Sequence, residues 1–197
     1  MLKFMCTGII LAFGLLFAGT PILADELSDT LSRMETLDIA RGEYVLGKAL
    51  TDKQKEKVNR QAVGDAVPLT YKFKDRNITV VAEKSTDRVI IMYEQYENAS
   101  REKIREIVAA LFLDFGDPTV LAHDKIIYWA FGPGGKLTRE QYRKIRESSE
   151  KLDLLATIKL NSSCAITGKD ALQEKEGSVY YIISSEAALK LLKKRDN

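Results

Sequence analysis

The run Gly132-Pro133-Gly134-Gly135-Lys136-Leu137-Thr138 is the strongest candidate for ligand chemistry, lying between an apolar stretch and a helix start. Free N–H groups at a helix N-terminus attract a carboxylate or phosphate, and glycines let the backbone come close to such a group. Gly132, Gly134, Gly135, Lys136 and Thr138 are therefore the candidate ligand-binding residues. The phosphate-loop pattern is not completed. Ala130 stands where its first glycine belongs, and Leu137 replaces the hydroxyl that would hold Mg²⁺. A flexible strand-to-helix loop accounts for the same residues.

Asp114, Asp117, His123 and Asp124 are the densest group of metal-ligand types, but their spacing fits no Ca²⁺ loop, and solvated loop carboxylates explain them. Asp114-Phe115-Gly116 spells a kinase Mg²⁺ motif with neither a catalytic loop nor a glycine-rich loop beside it. Ser162, Ser163 and Cys164 offer nucleophiles, with His123 the single imidazole in the chain, and no G-x-S-x-G surrounds them. No catalytic residue, metal site or cofactor is assigned on these grounds. One His and two Cys exclude zinc sites built on His/Cys clusters. Loss of Cys6 with the leader described below would leave Cys164 without an intrachain disulfide partner.

The 197 residues carry 30 Lys+Arg against 28 Asp+Glu, which removes the simplest electrostatic case for binding nucleic acid or an acidic membrane. The helix around Asp52–Lys57 and the tail Lys190–Arg195 are locally basic. Neighbouring acids balance the first, and helix-dipole complementarity explains the second. Asn77, Asn98 and Asn161 each begin an N-x-[ST] acceptor pattern, and Asn77 and Asn98 also suit a turn and a helix start.

The N-terminus places Lys3 before an apolar run from Phe4 to Phe17, then small residues to Ala24 and the polar pair Asp25-Glu26. This is the layout of an export signal, with Pro21 expected to end its helix ahead of the cut. The run is shorter than the roughly 20 residues needed to span a bilayer. Residues 1–24 are read as a cleaved leader and 25–197 as one mature domain, periplasmic or secreted, with no stable membrane span.

The elements that must position these residues follow from periodicity and caps. Leu27, Leu31, Met34 and Leu37 mark a helix over residues 25–40, broken at Arg41-Gly42. Tyr44–Leu46 is a short extended piece ended by Gly47. Thr51 with Gln54 and Thr138 with Gln141 are capping boxes that open two polar helices. Residues 69–96 alternate as three strands with short turns, an antiparallel meander. Ser100 caps a helix over 101–115 with a broad apolar stripe from Ile104 to Phe115, closed by Gly116 and Pro118. Further strands are expected at 125–131, 152–160 and 179–183, and a final amphipathic helix begins after Ser184 or Ser185.

Leu50, Thr51, Gln54, Lys57, Thr70 and Lys72 match Leu137, Thr138, Gln141, Lys144, Thr157 and Lys159 at one constant offset. A division into related helix–sheet–helix halves, 25–116 and 117–197, is an alternative to an unrepeated domain. Gly116-Asp117-Pro118 followed by Ile126-Ile127-Tyr128-Trp129 resembles small envelope modules in which a helix ends at Gly-x-Pro before a Trp/Tyr strand. The outer-membrane assembly factor and β-lactamase-inhibitor-like α+β modules are of this type. The likeness covers residues 116–129 and implies a protein-binding role.

The expected fold is α+β, an antiparallel sheet of five to seven strands packed by amphipathic helices. The expected function is a non-enzymatic exported protein that contacts another envelope or secreted protein. A small-ligand or anion-binding module is the alternative, and a hydrolase with an unrecognised site the third reading.

Overall fold

The structure, a computed structural model, describes residues 20–61, 63, 67–147, 154–166 and 176–196. The apolar run from residue 4 to residue 17, Ala62, Gly64, and the expected strand start at 152–153 lie outside these residues. The first helix, α1 (Thr20–Glu35), begins upstream of the expected cut after Ala24. Pro21, expected to end a helix ahead of the cut, lies within α1, and the chain after it is helical through Glu35. Leu27, Leu31 and Met34 of α1 are buried, as their helical spacing predicted.

The helix stops at Glu35, short of the expected residue 40, and Asp38 turns the chain at a φ of 50°. The hairpin β1 (Ala40–Arg41) and β2 (Tyr44–Val45) follows. Gly47, at φ +83°, lies against the end of α1: a Cβ there would come within 2.6 Å of Glu35 N and Leu31 O. No residue with a side chain fits that contact.

The helix α2 (Asp52–Gln61) opens with its capping box formed. Thr51 N donates to Gln54 Oε1 at 2.8 Å, and Gln54 N donates to Thr51 Oγ1 at 3.3 Å. The meander follows as β3 (Thr70–Asp75), β4 (Ile78–Glu83) and β5 (Val89–Ser100). Then come α3 (Arg101–Phe115), β6 (Val120–Ala122), β7 (Ile126–Gly132) and β8 (Gly135–Lys136). The chain finishes through α4 (Arg139–Glu147), β9 (Ala156–Ser162), β10 (Glu176–Ser184) and α5 (Glu186–Asp196).

The fold is α+β. The main sheet is antiparallel, with eight strands in the order β3-β4-β5-β10-β9-β7-β6, and β8 pairs with β7. The expected five to seven strands omitted short members such as β8, whose Gly135-Lys136 has no alternation to read. The last strand to be made, β10, inserts between β5 and β9 and so joins the two stretches 25–116 and 117–197 in one sheet. Glu94 of β5 faces Tyr181 of β10, a pair at the constant offset noted in the sequence. Sheet positions differ, however: β3 is an edge strand, whereas β9 lies inside on the other side.

One sheet face holds the core. Phe73, Val80, Met92, Tyr181, Ile158, Leu160 and Trp129 all point into it and are excluded from solvent. Over this face α3 lays Ile104, Ile107 and Leu111. Ser100 caps its start by accepting from Lys103 N, and Gly116 N, at φ 65°, donates to Phe112 O at 2.8 Å. Trp129 stands edge-on to Phe112, and its Nε1 donates to Gly116 O at 2.9 Å. The helix end is therefore tied to β7 by both stacking and a hydrogen bond.

The β1–β2 hairpin is fastened over the same face by polar contacts. Arg41 forks onto Glu94, with Nε donating to Oε1 at 3.0 Å and Nη2 to Oε2 at 2.6 Å. Its guanidinium lies 4.9 Å from the centre of the Tyr181 ring. Burial alone would lower the Arg41 pKa, but hydrogen bonding and the charge of Glu94 raise it instead. Tyr44 donates to Asp75, which also accepts from Lys57 of α2 at 2.7 Å.

Candidate interaction face

The glycine-rich run is a hairpin turn. Phe131 pairs with Lys136 and Gly132 with Gly135, leaving Pro133-Gly134 as the two-residue connection. A Cβ at Gly134 or Gly135 would meet nothing within 4 Å. Lys136 Nζ donates to Phe115 O at 2.7 Å and to Asp117 O at 3.1 Å, collecting carbonyls left over at the end of α3. Thr138 N donates to Gln141 Oε1 at 2.8 Å, and Gln141 N donates to Thr138 Oγ1 at 3.2 Å. The cation and the hydroxyl of the run are thus both engaged within the chain, in closing α3 and opening α4.

The other sequence candidates are dispersed. Asp114 and Asp117 lie at the end of α3, whereas His123 and Asp124 form the β6–β7 turn at φ 51° and 53°. Among the described residues no three His, Cys, Asp or Glu are grouped to hold a metal ion. Cys164 is buried, and its Sγ donates to Glu176 O at 3.3 Å. Ser162 Oγ accepts from Cys164 N, and Ser163 Oγ from Ser178 N, so both hydroxyls serve the local backbone. Asn77 is exposed in the β3–β4 turn, Asn98 is exposed at φ 51°, and Asn161 is half-buried in β9.

The second face of the sheet gathers residues that no motif marked. Strand register sets one row across seven strands: Lys74, Thr79, Tyr93, Ile182, Lys159, Tyr128 and Val120. At a strand spacing of about 4.8 Å the row spans roughly 29 Å. Lys74 is exposed, Thr79 is buried, and the other five are half-buried. A parallel row adds exposed Gln95, Tyr180 at 39 % exposure and half-buried Ile126; Gln95 Nε2 donates to Tyr180 OH at 3.1 Å. Toward the start of α5 the same face closes over, and Val81, Thr157 and Ala130 are buried.

One end of the row runs beneath α4. Tyr142 meets Tyr128 with ring centres 6.1 Å apart, and Val120, Arg139, Tyr142, Arg143 and Glu147 line a groove there of about 420 Å³. Burial, with Tyr142 beside it, pushes the Tyr128 hydroxyl up to about 12, so it remains a neutral donor at physiological pH. Lys72, Lys74, Lys159 and Arg139 form no ion pair among the described residues, while Arg143 reaches Glu147 only at 3.9 Å. The face is thus tyrosine-rich and locally basic in a nearly neutral chain. It ends at β6, an edge strand that carries Leu121 at 45 % exposure.

Motif reading missed this face because its residues are scattered over seven strands. The signal lay in the outward positions: Lys72 and Lys74 alternate in β3, Tyr93 and Gln95 in β5, and Tyr180 and Ile182 in β10. No helix among the described residues is long and apolar enough to cross a membrane. Neither a protein-family model, nor a curated protein, nor a solved structure matches this chain.

Proposed function

We propose that the chain is an exported protein, made with a leader over residues 1–24, that acts without catalysis by binding another envelope or secreted protein. The observation that supports this reading is the open sheet face, where Tyr93, Tyr128 and Tyr180 stand among lysines that have no carboxylate partner among the described residues. Tyrosine supplies large amphipathic contact area at small conformational cost, which suits it to interfaces. Cations left unpaired on one face steer an acidic partner toward it and fix its orientation. The β6 edge leaves main-chain groups that an extended segment of the partner can pair with.

The test is chemical crosslinking in the native envelope, comparing the parent with a Lys74→Glu/Tyr180→Ala variant. Both positions are solvent-exposed, so the variant is expected to melt like the parent and to lose the crosslinked partner. A control variant on α5, Lys190→Glu/Lys194→Glu, is expected to retain it. Equal crosslinking by parent and open-face variant would remove the face from the interaction.

A further inference from the structure

We infer that the occupant of the β6 edge is an extended segment of the partner in which carboxylates alternate with apolar side chains, added to the sheet as its next strand. The inference rests on the proposed open-face reading and specifies what that face receives.

The two edges of the sheet are built differently. At one edge, β3 carries Lys72 and Lys74, and Val63 N donates to Lys72 O at 3.2 Å. Lysines and covering chain are how sheets keep another strand from pairing. The other edge, β6, has neither, and its central residue Leu121 is 45 % exposed. Main-chain direction there follows from β7. Ala130 N donates to Thr119 Oγ1 at 3.0 Å, and Ala130 O accepts from Leu137 N at 2.8 Å, so Ala130 faces the β6 side of its strand. By alternation Tyr128 and Ile126 face the same way, and their partners Val120 and Ala122 turn toward them. Leu121 therefore points its N–H and C=O outward, where no described residue takes them.

Side chains then fix the pattern of the added strand. Its residue opposite Leu121 lies on the same sheet face as Leu121, so an apolar side chain there covers the exposed leucine. The next residue points to the opposite face, beside Val120. Val120 lines one groove with Arg139 and Arg143 of α4. Arg139 forms no ion pair among the described residues, and Arg143 reaches Glu147 only at 3.9 Å. The sequence of α4 holds four cations against two acids. A carboxylate at that position meets both arginines, whereas a lysine is repelled.

The experiment measures binding of short, capped, fluorescently labelled peptides to the full chain by anisotropy. The probe alternates glutamate with valine. One control replaces each glutamate by lysine, and another is N-methylated on the main-chain nitrogens of one edge. The glutamate peptide is expected to bind about tenfold tighter than either control, and to slow hydrogen exchange at the Leu121 amide. Arg139→Glu/Arg143→Glu should reverse the preference between glutamate and lysine peptides. Leu121→Pro removes the outward N–H at an edge position that tolerates proline, and should weaken the glutamate peptide about tenfold with an unchanged melt. If the proline variant melts early, the charge-reversal comparison still decides. No binding of the glutamate peptide, or equal binding of either control, overturns the inference. A dimer of the parent that Leu121→Pro abolishes also overturns it, because the edge then belongs to a second copy. In the native envelope, a Leu121→Pro chain that keeps its crosslinked partner overturns the edge assignment and leaves the open-face reading standing. The Lys74→Glu/Tyr180→Ala variant tests that reading separately.

Discussion

Arg41 and Glu94 meet as a two-pronged ion pair in the middle of the sheet, with Glu94 on the core face at 5 % side-chain exposure and Arg41 descending from the β1–β2 hairpin. Tyr96 donates a further hydrogen bond to the same carboxylate at 2.5 Å. Removing one member of such a pair strands the other charge away from water, which typically costs about 3–5 kcal/mol. Arg41→Ala is expected to lower stability by about 3 kcal/mol in urea unfolding. The double variant Arg41→Met/Glu94→Leu should recover most of it, since neither charge is then buried. A single Arg41→Ala variant as stable as the parent would show that water reaches Glu94.

Leu111, 1 % exposed on the core side of α3, tests whether that helix is the central packing element. Leu111→Ala is expected to cost about 2–5 kcal/mol through lost transfer energy and the cavity left behind. Leu111→Asp adds an unpaired buried carboxylate and should abolish cooperative unfolding. Circular dichroism melts of both check this, and a Leu111→Asp protein melting like the parent would remove α3 from the core.

Gly177 lies where a Cβ would fall 1.8 Å from Cys164 Sγ and 2.8 Å from Ser163 Oγ. Gly177→Ala should therefore destabilise by about 1–3 kcal/mol through overpacking. Adding Cys164→Ala removes the offending sulfur, so a double-mutant cycle should show strong positive coupling. Additive effects would mean that the bulge between Gly177 and Val179 relaxes instead.

Acid should unfold the protein chiefly through Asp75, Glu83 and Asp87, three of the carboxylates whose pKa values are lowered in the fold. A hydrogen bond from Lys55 lowers Asp87, and one from Lys57 lowers Asp75. Burial opposes ionisation of Glu83, yet hydrogen bonds from Ser85 and Thr86 outweigh it. Because each folded value lies below the unfolded one, the contributions are full above the ordinary carboxylate range and vanish as pH falls through the folded values. Stability should be level near neutrality and decline below about pH 4. Glu83→Gln should shrink that decline; an equal pH slope in parent and variant would take Glu83 out of the linkage.

Mass spectrometry of the protein from its native source addresses export. The expected N-terminus lies within a few residues of Asp25, which keeps Leu27, Leu31 and Met34 of α1 in the core. A mature chain that retains Met1 would contradict cleavage.

Local structure was legible in the sequence because its causes are local. Both capping boxes, the three-strand meander and the Ser100-to-Gly116 limits of α3 depend on residues within a few positions of one another, and all formed. What was not legible follows the same rule. Lys136 belongs to the suggested anion loop, and its carbonyl partner at Phe115, 21 residues away, could not be read from that loop. Glu94 gave no sign of facing the core, since the arginine that makes its burial tolerable is 53 residues upstream.

The sequence alone determined the caps, the alternation of strands, the poverty of imidazole and thiol chemistry, and which residues each strand turns outward. Only the tertiary structure decided that β10 enters between β5 and β9. That placement aligns Lys74, Tyr93, Lys159 and Tyr128 in one row and leaves the row open to solvent. The reason is physical: caps and alternation are fixed by neighbours along the chain, whereas strand order is set by closing long loops around a shared core. A surface made from seven strands exists only after that closure.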